Sequence, residues 1–97
     1  MKINYSNRTE YRNKQAQLHR TDGPAIINPD GSQFYYQNGK CHRIDGPAAI
    51  YPNGSQFYFQ NDQLHREDGP AYIDSNGTQL YYLNGKHLTK NQYENQN

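Results

Sequence analysis

The chain lacks most of what usually holds a small domain together. Of its 97 residues only Cys41 is a cysteine, so no intramolecular disulfide can form and no cysteine-based zinc knuckle can be built. Tryptophan is missing and methionine occurs once. No apolar run approaches the ~18 residues of a membrane helix, and residues 1 to 11 carry no pattern of a secretion signal. These absences lead to the expectation of a soluble, cytoplasmic chain, in the host cell's cytoplasm if its source is viral. An excess of one charge is missing as well. Ten Lys and Arg stand against nine Asp and Glu, interspersed, which fits neither a basic nucleic-acid binder nor an acidic DNA mimic. Nor does any window space its apolar residues at the period of a helix, because Gly, Pro and Asn break the chain too often.

What the chain has is period. HRxDGPA occurs three times at a step of 23 residues, beginning at His19, His42 and His65. Gly31, Gln33, Tyr35 and Asn38 keep the same step to Gly54, Gln56, Tyr58 and Asn61, then to Gly77, Gln79, Tyr81 and Asn84. A period of about 20 to 50 residues marks an array whose units bury their apolar faces only against neighbours. The expected layout is one domain over 1–97, with a degenerate cap at 1–17, units at 18–40, 41–63 and 64–86, and a C-terminal cap and polar tail at 87–97. A body this small has a thin core. Its ten tyrosines suit that, because each pairs a large ring with a hydroxyl that can stay wet.

Within a unit, Pro24 to Asn28 is a short apolar run and Ser32 to Gln37 an aromatic one. Pro29-Asp30-Gly31 between them suits a type I turn with a bulge. Asn38-Gly39 is the type I′ hairpin signal, repeated at Asn84-Gly85 and more weakly at Asn61-Asp62. The expected fold is all-β without a helix: a single-layer antiparallel array of β-hairpins, solenoid or meander, with the 23-residue period. Strand alternation groups Ala25 with Ile27, Ala48 with Ile50 and Ala71 with Ile73, facing Phe34 and Tyr36, Phe57 and Phe59, Leu80 and Tyr82 in one stacked core. The opposite face then carries Tyr35, Tyr58 and Tyr81 as an outward row, beside the variable column of Ile26, Ala49 and Tyr72. Tyr11 aligns with Phe34, Cys41 shares the apolar column of Leu18 and Leu64, and the tail beyond Tyr93 is expected to be disordered.

The connector poses the main chemical question, since His, Arg and Asp within four residues could serve a metal or a reaction. Equivalent residues of adjacent units stand about 10 Å apart, two strand spacings. Zinc needs nitrogens about 2.0 to 2.1 Å from one ion, so one His per unit cannot form a shared site. Equal copies also speak against catalysis, which needs groups in different environments. The connector is therefore expected to be structural. Asp22-Gly23, Asp45-Gly46 and Asp68-Gly69 form tight turns in which the carboxylate accepts backbone N–H groups, and each Arg pairs with a carboxylate of its own or the adjacent unit.

GSQFYYQNGK and GTQLYYLNGK, at residues 31–40 and 77–86, resemble MORN-type repeats, particularly the antitoxin-like variant of bacterial MORN proteins. QLHRTDGPA and QLHREDGPA resemble repeat proteins of phages and large DNA viruses. The resemblance spans about residues 8 to 88. It implies an elongated hairpin array with a role in protein or membrane association. The HRxDGPA connector departs from the MORN pattern, and the lipid-binding side is not carried over. The expected function is a non-catalytic module that occludes a surface of a partner protein. Its specific form is a phage or mobile-element inhibitor of a bacterial defence system, in the manner of an anti-CRISPR protein, or an antitoxin. The expected contact residues are Tyr35, Tyr58, Tyr81, Tyr72, Arg20, Arg43 and Arg66, since Tyr and Arg are enriched at binding hot spots. No cofactor, metal or membrane is expected, and a homodimer could form through the sheet edges. The alternative is a nucleic-acid or nucleotide binder using the Arg and Tyr ladders, against which the charge balance argues.

Overall fold

Paired turns organise the chain. In the computed structural model, which describes residues 1–95, Asn38 and Gly39 take φ of 50° and 80°, the double left-handed step of a two-residue hairpin. Asn61 and Asp62 do the same at 52° and 67° without a glycine, Asp being one of the few residues that tolerates this region. Gly31, at φ 94°, closes the other kind of turn, with Asn28 N–H donating to Ser32 O at 3.0 Å.

These turns join short strands: β1 (Lys2–Asn4), β2 (Thr9–Tyr11), β3 (Ile26–Ile27), β4 (Gln33–Phe34), β5 (Tyr36–Gln37), β6 (Lys40–Cys41), β7 (Ala49–Ile50), β8 (Gln56–Phe57), β9 (Phe59–Gln60), β10 (Gln63–Leu64), β11 (Tyr72–Ile73), β12 (Gln79–Leu83) and β13 (Lys86–Leu88). Nine of them form one open antiparallel sheet in the order β1-β2-β3-β4-β7-β8-β11-β12-β13, and β5–β6 and β9–β10 are separate hairpins beside it. Among the described residues the protein is all-β apart from one short helix. Its extents of 45 × 28 × 17 Å describe a long, thin body. Among the described residues no helix is long and apolar enough to cross a membrane.

The register corrects the expected faces. Phe34 lies opposite Ile26 and Ala49, and Phe57 opposite Ala49 and Tyr72, so the variable column shares the aromatic face. Ile27, Ile50 and Ile73 fall on the other face, opposite Gln33, Gln56 and Gln79. The cause is turn length: closing Asn28 on Ser32 sets the parity of pairing, and a shift of one residue exchanges the faces. Tyr51 joins the aromatic face, its ring edge-on to Phe34 at 5.5 Å and to Phe57 at 5.6 Å. Among the described residues no large side chain is fully buried; the tightest positions are Ala25, Ala48 and Ala71, each 0% exposed.

The two ends are built differently. At the N-terminus Tyr11, not Arg12, fills the place of Tyr35: Tyr11 N–H donates to Ala25 O at 2.8 Å as Tyr35 N–H does to Ala48 O at 2.7 Å. The one-residue offset from the expected alignment comes from a longer hairpin loop, Arg12 pairing with Leu18 where Tyr36 pairs with Cys41. Glu10 thus occupies the Phe34 position and is buried there, held by Arg8 Nε at 2.6 Å and Arg12 Nη2 at 2.9 Å. At the other end the polar tail forms helix α1 (Lys90–Glu94), against the expectation of no helix. Thr89 starts it with a capping box, its side chain accepting from Gln92 N–H while the Gln92 side chain accepts from Thr89 N–H. The helix reaches past Tyr93, and the expected disorder of residues 96 and 97 lies outside the described residues.

Burial acts to raise the Glu10 pKa, but hydrogen bonds from Arg8 and Arg12 and their charges outweigh it and hold the carboxyl below its ordinary 4.5. A carboxyl with a depressed folded pKa adds stability above its unfolded pKa and loses it as pH falls through the folded one. The stability advantage of the wild type over Glu10→Gln is therefore expected to be full above pH 4.5 and to shrink below it, as read by thermal unfolding across pH. An advantage unchanged in acid would contradict the ionised pairing.

Candidate functional site

Each connector is a clamp around an arginine. The Arg43 guanidinium lies over the Tyr35 ring, with Cζ 3.9 Å from the ring centroid. Its Nε donates to Asp45 Oδ1 at 3.1 Å and its Nη1 to Pro47 O at 3.1 Å. Gly46 makes the room: a Cβ there would stand 2.9 Å from Arg43 Cζ. The same contacts form at Arg20, over Tyr11 at 3.9 Å, and at Arg66, over Tyr58 at 4.0 Å. Asp22 and Asp68 hold those arginines at 2.9 and 3.1 Å, and Gly23 and Gly69 leave the same 2.9 Å clearance.

The remaining motif letters have roles too. His42 Nδ1 accepts the Asn61 N–H at 3.0 Å, tying the connector to the hairpin turn 19 residues later, and His19 and His65 do so for Asn38 and Asn84 at 3.0 and 2.9 Å. An accepting Nδ1 carries no proton, so the ring proton of each neutral histidine sits on Nε2. The alanine after the proline is enclosed on all sides, where a larger side chain would overpack.

Two expectations are corrected here. The main partner of each aspartate is the arginine Nε rather than a backbone N–H group, and their side chains are 83%, 87% and 88% exposed at Asp22, Asp45 and Asp68. The hydrogen bond from Arg20 and then its charge hold the Asp22 carboxyl below its ordinary pKa. Nor do the tyrosines form a free outward row. Arg43 covers the Tyr35 ring and Arg66 the Tyr58 ring, while Tyr72 lies on the other face, 4.8 Å from Phe57. Tyr81 has Tyr93 of α1 over it at 4.7 Å, because Thr89 stands where the next arginine would be. The Tyr93 hydroxyl accepts from Gly69 N–H and donates to Arg66 O, locking the helix onto the third connector.

What faces solvent on this side is the crest of the connectors and the recesses between them. One recess, of about 530 Å³, is lined by Arg20 to Gly23, Tyr35, Gln37 and His42 to Asp45. The next, of about 600 Å³, uses the same positions 23 residues on, Arg43 to Gly46, Tyr58, Gln60 and His65 to Asp68. The crest position between Arg and Asp is Thr21, Ile44 and Glu67 in turn, and Ile44 borders both recesses at 71% exposure. Sequence reasoning passed over Ile44, although an aliphatic residue in a tight polar turn is itself a signal of exposure. It passed over Tyr93 as well, whose signal was the missing arginine at position 89.

Each guanidinium is stacked and doubly hydrogen-bonded, and among the described residues no group of three or more His, Cys, Asp or Glu could hold a metal. The Cys41 thiol is buried, and burial followed by the nearby Asp62 pushes its pKa up to about 12, leaving it a poor nucleophile. Comparison with models of protein families, with curated proteins and with solved structures gave no match.

Gly46→Ala is expected to displace Arg43 from Tyr35 and to destabilise by roughly 1 to 2 kcal/mol, the loss of a partly exposed cation–π contact and charged hydrogen bonds. In an Arg43→Ala background the same change should cost far less. Urea denaturation of the single and double variants checks this; equal costs in both backgrounds would dismiss the clamp.

Proposed function

We propose that this protein is a non-catalytic binding module that covers a surface of a partner protein, and that the connector crest is its contact surface. The observation that carries this is the pair of matching recesses on either side of the exposed Ile44. An isolated aliphatic side chain ringed by charged residues has the arrangement of an interface anchor with a polar rim. Asp22, Asp45, Glu67 and Asp68 supply that rim, so the matching surface on the partner is basic around an apolar pocket. Tyr35, Tyr58, Arg20, Arg43 and Arg66 serve from beneath, fixing the crest rather than touching the partner, and Tyr81 and Tyr72 stand outside the contact. The array reads as a hairpin solenoid of 23-residue units, an architecture suited to a rigid extended surface. An inhibitor of a toxin or of a defence protein is the specific form of this reading, drawn from the resemblance to antitoxin-like and phage repeats.

Nucleic-acid binding is disfavoured by the same geometry. The connector arginines spend Nε and Nη1 on Asp and Pro oxygens, and the charges that project are carboxylates. The test is affinity capture from the source organism with the wild type and Ile44→Arg as paired baits. A protein retained by the wild type and lost by Ile44→Arg, at equal melting temperature, is the expected result. Equal retention would move the contact off the crest, and capture of nucleic acid with steep salt dependence would favour the alternative.

A further inference from the structure

The two ends of the sheet are halves of one unit. In the interior, every strand of the Gln33–Gln37 type is covered on its far side by the next unit, so that Gln33 faces Ile50 and Phe34 faces Ala49, and likewise Gln56 faces Ile73 and Phe57 faces Tyr72. At the C-terminal end β13 pairs only with Tyr81 to Leu83 of β12. Among the described residues no strand pairs with Gln79 and Leu80 on that side. A recess of about 370 Å³ marks the place, lined by Gln79, Leu80, Tyr81 and His87 to Lys90. Gln79 is exposed there, whereas Gln33 and Gln56 are half-buried. The clamp itself is complete, since Tyr93 covers Tyr81 in place of an arginine; only the strand is missing.

The missing strand exists at the other end of the chain. β1 and β2 pair with Ile3 opposite Glu10, and Glu10 faces Ile26 in turn, so β1 stands to β2 as β7 stands to β8. Among the described residues no strand lies beside its outer edge. We propose that copies of this protein assemble head to tail, β1 of one copy filling the vacant place beside Gln79 and Leu80 of the next, with Asn4 opposite Gln79 and Ile3 beside Leu80. This is independent of binding at the connector crest and replaces a two-fold edge dimer with an open chain of copies.

Direction and hydrogen-bond phase both agree. All neighbours in the sheet are antiparallel, and β1 is the seventh strand back from β12 in that order, so β1 of a copy stacked in the same sense runs antiparallel to β12. Ala71 N–H donates to Leu80 O at 2.9 Å, which turns the Leu80 backbone inward and the Gln79 N–H and C=O outward. In β1, Met1 and Tyr5 bond inward to Arg12 and Arg8, so the Lys2 and Asn4 backbones face outward. Asn4 and Gln79 can therefore exchange a hydrogen-bonded pair. A contact between two different surfaces does not close on itself, so the product grows beyond a dimer.

The test has two arms. Sedimentation of the wild type up to about 1 mM, where a contact of only a few hydrogen bonds still registers, is expected to show average mass rising past that of a dimer. Gln79→Pro, which removes the outward donor from an edge strand, should weaken this about tenfold or more. In the second arm, Ile3→Cys and Leu80→Cys, each with Cys41→Ser and checked for folding, are mixed under mild oxidation; the mixed disulfide should form in preference to either homodimer. A strictly monomeric wild type over the whole range overturns the proposal. So does an assembly that stops at the dimer, or Leu80→Cys or Ile3→Cys pairing with itself as readily as with the other.

Discussion

The structure depends on a guanidinium held between an aromatic ring and a glycine. Among the described residues no large side chain is fully enclosed, so hydrophobic burial is spread thinly along the protein. The connector arginine compensates by ordering three pieces of chain at once: the ring of the preceding strand, the Asp-Gly bend, and the carbonyl of the proline that leads into the next strand. Arg suits this where Lys would not, because a planar, weakly hydrated cation can stack on a ring while its edge donates to oxygens. The ion pair alone would contribute little, since its carboxylate is exposed.

The rest follows from placing such clamps at even intervals. Each fixes the Pro-Ala entry to a strand, and the alanine's enclosure sets how closely the chain approaches the clamp. The histidine bond to the next turn ties each connector to the hairpin that follows it. Where the period ends, the clamp is imitated rather than abandoned. Tyr93 takes the arginine's place over Tyr81, and at the N-terminal end Glu10 with Arg8 and Arg12 occupies the position of a phenylalanine.

Strands and turns were legible in the sequence because the sign of φ is a local property, written in Asn38-Gly39 and Pro29-Asp30-Gly31. Faces were not. Whether Phe34 meets Ile26 or Ile27 depends on how many residues the intervening turn spans, which alternation within a single strand does not encode. The equal copies of the connector speak against catalysis, but the donor to its aspartates is not legible, since the sequence does not reveal that the arginine folds back onto its own motif. Tyr35 and Tyr58 look like surface residues by alternation alone; an arginine eight residues further along covers each. The helix at Lys90–Glu94 is hidden because four polar residues and one tyrosine carry no apolar period, and its capping box and that tyrosine fix it instead.

Nuclear magnetic resonance of the arginine side chains tests the clamp most directly. If Arg20, Arg43 and Arg66 lie over tyrosine rings, their side-chain protons are shifted upfield by the ring currents and their Nε–H protons exchange slowly with water. Tyr58→Leu should then return Arg66 alone toward ordinary shifts and leave Arg20 and Arg43 in place. Three arginines with ordinary, rapidly exchanging signals in the folded wild type would contradict the account.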